Sequence, residues 1–139
     1  MNAKNSKMTE KHVVTCFLEH KGKILILRRS EKVDTYKGRW AGVSGYVEKS
    51  VDEQALIEIE EETKLTEDDV ELVRKEKFLE GVDEELVIRW IVHPFLFRVK
   101  DSNKIKVDWE HKEIKWILLK DIGRYKTVPK LKETLESVM

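Results

Sequence analysis

The sequence predicts an α/β domain in which a mixed β-sheet lies between helices. Three observations carry this. The element order runs from strands to a helix, to further strands, to a final helix. Residues 24–27 (ILIL) form a continuous apolar run, as a strand buried on both faces requires. Residues 50–65 place Ala55, Leu56, Ile59 and Thr63 on one stripe at helical period.

The elements follow in order. Residues 1–11 are polar and stand before a single domain at 12–139. Residues 12–19 (HVVTCFLE) are rich in β-branched side chains, residues 19–22 (EHKG) suit a turn, and 24–27 complete a hairpin ending in Arg28 and Arg29. Residues 30–40 are polar and read as loop. Residues 41–47 (AGVSGYV) are strand-like with two glycines, which mark a bulge or a close backbone approach. The helix at 50–65 opens with Ser50 and Glu53 at capping-box spacing. Strands are expected at 70–79, 86–99 and 114–118, with turns at 83–85 and 101–104; Pro94 limits pairing or marks a bulge in the second. A last helix is expected to start at Thr127 or Val128 with Pro129 in its first turn, and to bury Leu131, Leu135 and Val138.

Composition narrows the function classes. A length of 139 residues suits one domain with one sizeable core. The single cysteine, Cys16, excludes an intramolecular disulfide and a CxxC motif, and its strand setting suggests a buried, inert thiol. Uncharged apolar runs stop at eight residues (90–97), far short of the ~20 that span a bilayer. The N-terminus lacks the apolar stretch of a secretion signal, so the expected compartment is cytoplasmic. The net charge of zero hides a pattern: +6 over residues 1–40, −11 over 41–85 and +5 over 86–139. A solvated charged surface gives this pattern, and so does an acidic, cation-binding centre between basic, anion-binding flanks. Zero overall charge and the lack of a basic helix speak against nucleic acid as a partner.

The most informative segment is 58–62, Glu58-Ile59-Glu60-Glu61-Glu62. Glu58, Glu61 and Glu62 share one helix face, beside the apolar stripe, while Glu60 points to solvent. Like charges so placed repel by roughly 0.2–0.5 kcal/mol per exposed pair. Either water screens them or a divalent cation neutralises them. Mg²⁺ suits carboxylate oxygens and binds readily together with substrate phosphates.

This segment resembles the Nudix box of Nudix hydrolases, G-x5-E-x7-R-E-U-x-E-E-x-G-U with U a large apolar residue. Residues 58–65 stand for E-U-x-E-E-x-G-U, and 38–48 (GRWAGVSGYVE) resemble the strand that leads into it. The resemblance implies an α/β/α sandwich. It also implies a pyrophosphohydrolase that uses Mg²⁺ or Mn²⁺ and cleaves a nucleoside diphosphate linked to another moiety. Glu58, Glu61 and Glu62 would then be metal-binding carboxylates, and Ser44 would offer its main-chain carbonyl. The box departs from the pattern in three ways. Between Gly45 and Glu58 the chain is two residues short, which removes the first Glu; Ile57 replaces Arg; and Lys64 replaces Gly. Losing a Glu and an Arg together leaves no orphan charge. Lys64 is tolerable if the helix ends without a left-handed residue.

A base must also take a proton from water. Glu62 is the first choice within the box, with Glu61 beside it, and Glu110 in the 108–111 segment (DWEH) is the loop candidate. Arg28, Arg29 and Arg39 are candidates for phosphate, with only one of Arg28 and Arg29 able to face a given side of a strand. Trp40 and Trp109 could stack on a base, although Trp40 adjoins an apolar strand and also suits packing. The four histidines show no ligand spacing, and His93 reads as a satisfied core residue. The expected partner is a small phosphoanhydride substrate, and the strand at 86–99 could pair across a homodimer. The alternative to the enzyme is a Nudix-like module that binds a nucleotide without turnover.

Overall fold

The computed structural model describes residues 8–139. The described residues form eight strands and two α-helices: β1 (Thr9–His20), β2 (Lys23–Arg29), β3 (Trp40–Ala41), β4 (Val43–Tyr46), α1 (Val51–Thr63), β5 (Val70–Lys75), β6 (Leu79–Asp83), β7 (Ile88–Val99), β8 (His111–Ile117) and α2 (Leu131–Ser137). β1 is the hub of a mixed sheet. It runs parallel to β7 from Thr9↔Ile88 to Glu19↔Arg98. It meets β2 only at Glu19↔Ile24 and His20↔Lys23, around a turn in which Lys21 and Gly22 both have positive φ. Beyond that turn β2 diverges to pair with β3 and β8, and β4 takes its place against residues 13–16 of β1. β5 and β6 both pair with β7.

Strict alternation along these strands builds two cores. Val14, Cys16 and Leu18 of β1, Leu25 and Leu27 of β2, and Phe95 and Phe97 of β7 face α1, where Ala55 and Ile59 meet them. Phe17, Ile24, Ile26 and Leu96 face the other way, toward Leu131 and Leu135 of α2. Each fully buried Leu, Ile or Phe side chain contributes about 1.5–3 kcal/mol. The result is the expected α/β/α sandwich. ILIL is buried on both faces because its side chains feed both cores.

Several boundaries differ from expectation. β1 starts three residues earlier, because Thr9, Glu10 and Lys11 find partners on β7. Residues 1–7 of the polar segment lie outside the described residues. The expected strand 70–79 is two strands, β5 and β6, which occupy successive stretches of one edge of β7. Pro94 falls where that edge changes partner, from Leu79↔Val92 to Lys75↔Phe95, and there it leaves the β1 register unbroken. α2 begins at Leu131, so Pro129 precedes it; Lys130 adopts a left-handed conformation that separates them. A 3-10 segment at Leu119–Arg124, which the sequence reading did not foresee, adds Ile122 to the second core.

The helix α1 starts as expected, with the Glu53 N–H donating to Ser50 Oγ at 3.2 Å. The shortened connection before it is held from inside: the Glu48 N–H donates to Oε1 of the buried Gln54 at 3.0 Å. Its end corrects the expectation for Lys64, which is left-handed (φ 66°). The Thr63 hydroxyl donates to the Ile59 carbonyl at 2.6 Å, and the left-handed step drops Leu65 into the first core. A side chain costs about 1–2 kcal/mol in this conformation, and the extra freedom of glycine in the unfolded chain offsets part of that. Lys64→Gly should therefore stabilise the protein by about 0.5–1 kcal/mol. A denaturant titration checks this, and an unchanged or lower midpoint contradicts it.

Candidate active site

Four segments meet at one end of the β1–β4 pair. α1 lies against β4, and Glu58 and Glu62, one turn apart, turn inward. The close backbone approach expected of the glycine-bearing strand has its partner here. A Cβ at Gly45 would coincide with the Glu58 carboxylate, so only glycine leaves room for it. Glu62 is 2% exposed, and the Ser44 main chain hydrogen-bonds its carboxylate. The loop before β8 adds Asp108 and Glu110, and β8 opens with the buried His111. His111 Nε2 lies 3.4 Å from Glu62 Oε1, and its Nδ1 lies 3.6 Å from Asp108 Oδ1. One donor atom each from Glu62, Glu110 and His111 falls within 4.8 Å of the others. Glu61 sits on the exposed side of α1, beside Glu58.

The electrostatics follow from this crowding. Burial, then the charges of Glu61 and Glu110, push the Glu58 carboxyl up to about 7. Burial, then Glu110, Glu58 and Asp108, hold Glu62 well above the usual carboxylate range. Glu110 is raised by burial and by Asp108. Burial lowers His111 to about 4, so its imidazole is neutral at pH 7. Burial, then Glu62 and Glu58, push the Cys16 thiol up; it is buried, as expected, with its Sγ facing the Ala55 carbonyl.

A cavity of about 420 Å³ opens from this cluster. Glu58, Glu110, Ser44 and Arg29 line its acidic end. Tyr36, Tyr46 and Trp90 line another part, where Tyr46 stacks on Trp90 with ring centroids 6.2 Å apart. The Tyr36 hydroxyl donates to Asp83 Oδ2 at 2.6 Å and accepts from Trp90 Nε1 at 3.2 Å, which ties the 30–39 loop to the β6–β7 hairpin. Trp109, 60% exposed, stands at the rim.

The arginines separate as strand alternation requires. Arg29 lines the cavity, its Nε donating to the Thr35 carbonyl at 2.9 Å. Arg28 points away, donating to the Gly38 carbonyl and to Glu113. Arg39 donates to the Thr127 carbonyl at 3.4 Å and is not part of the cavity wall. Trp40 is 7% exposed in the second core, edge-on to Tyr125, so its place is packing and not the cavity. His93 is only half-buried and hydrogen-bonds His12 at 3.0 Å. The sequence reading passed over His111. Its partner Glu62 lies 49 positions earlier, and no local spacing signals a contact made by tertiary folding.

The family model of the NUDIX domain matches residues 8–138. The chain belongs to the Nudix family. It is a Nudix hydrolase by class. Solved Nudix folds superpose over nearly all of it. A MutT protein from Methanosarcina mazei Go1 shares 25% identity at a TM-score of 0.74, with 94% of each chain covered. An Ap4A hydrolase from C. elegans shares 17% identity at a TM-score of 0.75, covering 91% of this chain and 93% of that one. A bifunctional NMN adenylyltransferase/ADP ribose pyrophosphatase from Francisella tularensis shares 19% at 0.73, covering 93% of this chain and 40% of that one. No curated protein matches the chain.

The donor set of this Nudix site fits a divalent cation. Buried Oε2 atoms of Glu58 and Glu62 and the Nδ1 of His111 have no hydrogen-bond partner. Unpaired buried carboxylate oxygens are costly unless a cation or proton satisfies them. The Gly45 gap is equally specific. Gly45→Ala should displace Glu58 and cost about 1–3 kcal/mol, as overpacking does, and should weaken Mn²⁺ binding. Thermal melts and Mn²⁺ titration check this; a variant that matches the parent in both contradicts it.

Proposed function

We propose that this Nudix hydrolase cleaves a phosphoanhydride bond in a small molecule, a nucleoside diphosphate linked to another moiety. The observation that carries the reading is the buried carboxylate cluster at one end of an aromatic-lined cavity that Arg29 also lines. Glu58, Glu61, Glu62 and the Ser44 carbonyl, with Glu110 from the loop, would hold Mg²⁺ or Mn²⁺. The cation would neutralise phosphate charge and lower the pKa of a bound water.

The chain's own residues supply the rest. Arg29 offers a planar fork for phosphate oxygens at the acidic end. Tyr46 and Trp90 offer ring faces to a base or other flat group. Glu58 is the better candidate for the base. It lines the cavity that substrate and water would enter. Glu62, the first choice from sequence, is nearly inaccessible and suits holding the cation. No described helix is long and apolar enough to cross a membrane.

The experiment is product release from nucleoside triphosphates, ADP-ribose, nucleotide sugars and dinucleoside polyphosphates, with Mg²⁺, Mn²⁺ or chelator. Metal-dependent turnover of one class is expected, with kcat falling about 10²-fold or more in Glu58→Gln while the fold is kept. Tight, metal-dependent binding without turnover of any member would replace the hydrolase with the binding module.

A further inference from the structure

Besides its carboxylates the cluster contains an imidazole, and this alters which cation it suits. His111 is the first residue of β8, paired with Arg29 of β2 where the register shifts, and its side chain is 1% exposed. A buried neutral imidazole needs one acceptor for its N–H and one donor or cation for its lone pair. Neither is well supplied. The Nε2–Glu62 distance of 3.4 Å and the Nδ1–Asp108 distance of 3.6 Å both exceed the 2.7–3.2 Å of ordinary N–H···O bonds. Nδ1 has no hydrogen-bond partner, and neither does Glu62 Oε2.

We infer that His111 is a nitrogen ligand: Glu62, Glu110 and His111 together form a mixed oxygen–nitrogen site that takes a first-row transition dication in preference to Mg²⁺. This rests on the proposed hydrolytic site and specifies its metal. Nε2 is the atom that faces Glu62, so it is the donor; Nδ1–H then turns to Asp108. A carboxylate on the far nitrogen of a metal-bound histidine fixes the tautomer and strengthens the ligand. Two carboxylates alone suit Mg²⁺, which prefers oxygen and retains its water. An added imidazole suits Mn²⁺ weakly and Fe²⁺, Co²⁺ or Zn²⁺ progressively better. Asp108 is a positioning residue and acts only through His111.

The test uses the full chain and metal alone. Mn²⁺ is bound to the parent, Asp108→Asn and His111→Gln, and pulsed EPR reads coupling to nitrogen. Titration of Mn²⁺, Co²⁺ and Mg²⁺ reads affinity. The parent should show one directly coordinated imidazole nitrogen, converted to the ¹⁵N pattern when histidine is ¹⁵N-labelled. His111→Gln should lose that coupling and weaken Co²⁺ binding at least about tenfold, while Mg²⁺ affinity changes less than about threefold. Asp108→Asn should keep the nitrogen coupling but bind Co²⁺ more weakly. Mn²⁺ bound to the parent without nitrogen coupling would overturn the inference, as would coupling that survives in a folded His111→Gln. If His111→Gln does not fold, ¹⁵N coupling that survives in His12→Gln, His20→Gln and His93→Gln assigns the nitrogen to His111, and its loss in any of them overturns the inference. Mn²⁺ held without nitrogen and lost in Glu62→Gln would refute this inference alone. Mn²⁺ binding indifferent to Glu62→Gln would refute the hydrolytic site itself.

Discussion

Four carboxylates, Glu58, Glu62, Glu110 and Asp108, are packed around one buried spot, and the surrounding fold holds them there against their mutual repulsion. Glu58 fits only because Gly45 has no side chain. Glu62 is carried in by the same helix that packs Ala55 and Ile59 into the first core. Burial of that apolar stripe offsets the cost of confining the carboxylates beside it. The loop acids arrive with β8, which is fixed by its pairing to β2. A cation bound there would turn this arrangement from a destabilising one into a bound charge cluster, and so would couple metal binding to stability.

The divergent box is consistent with that view. The missing Glu and Ile57 in place of Arg, taken together, leave no orphan charge. The connection into α1, two residues shorter than the box pattern, is held by Gln54, whose Oε1 accepts from the Glu48 N–H. Lys64 is a different matter. Its left-handed conformation keeps the backbone path that glycine would take, and the chain tolerates the strain because Leu65 must reach the core.

Much of the fold was legible in the sequence. β-Branched and apolar runs located β1, β2 and β7, the stripe at helical period located α1, and the Ser50 cap located its start. The division of 70–79 into β5 and β6 was not legible, because both strands use one partner and the break at 76–78 has no glycine or proline. The carboxylates of α1 were legible because one helix spaces them. Arg29 was separable from Arg28 only as a rule of alternation, which the structure then assigned to a side. Trp40, beside an apolar strand, suits packing better than stacking, and Tyr125, far along the chain, stands against it. His111 depends wholly on tertiary contact, and a list of histidine spacings cannot show it.

The most direct measurement is the melting temperature of the metal-free chain between pH 6.5 and 8, repeated with saturating Mn²⁺. Near pH 6.5 the unfolded chain still protonates about half of its His111, which is neutral when folded, so His111 adds a rise with pH that is complete by about pH 7.5 and that the two raised carboxyls outweigh. Glu58 titrates near 7 when folded, above its unfolded value, and Glu62 is raised in the same sense. A carboxyl raised by folding contributes stability while protonated and loses it as pH rises through its folded pKa. The metal-free melting temperature should therefore fall across this window, and Mn²⁺ should remove the fall. A metal-free melting temperature that is flat or rising from pH 6.5 to 8 would contradict a cluster of repelling, buried carboxylates awaiting a cation.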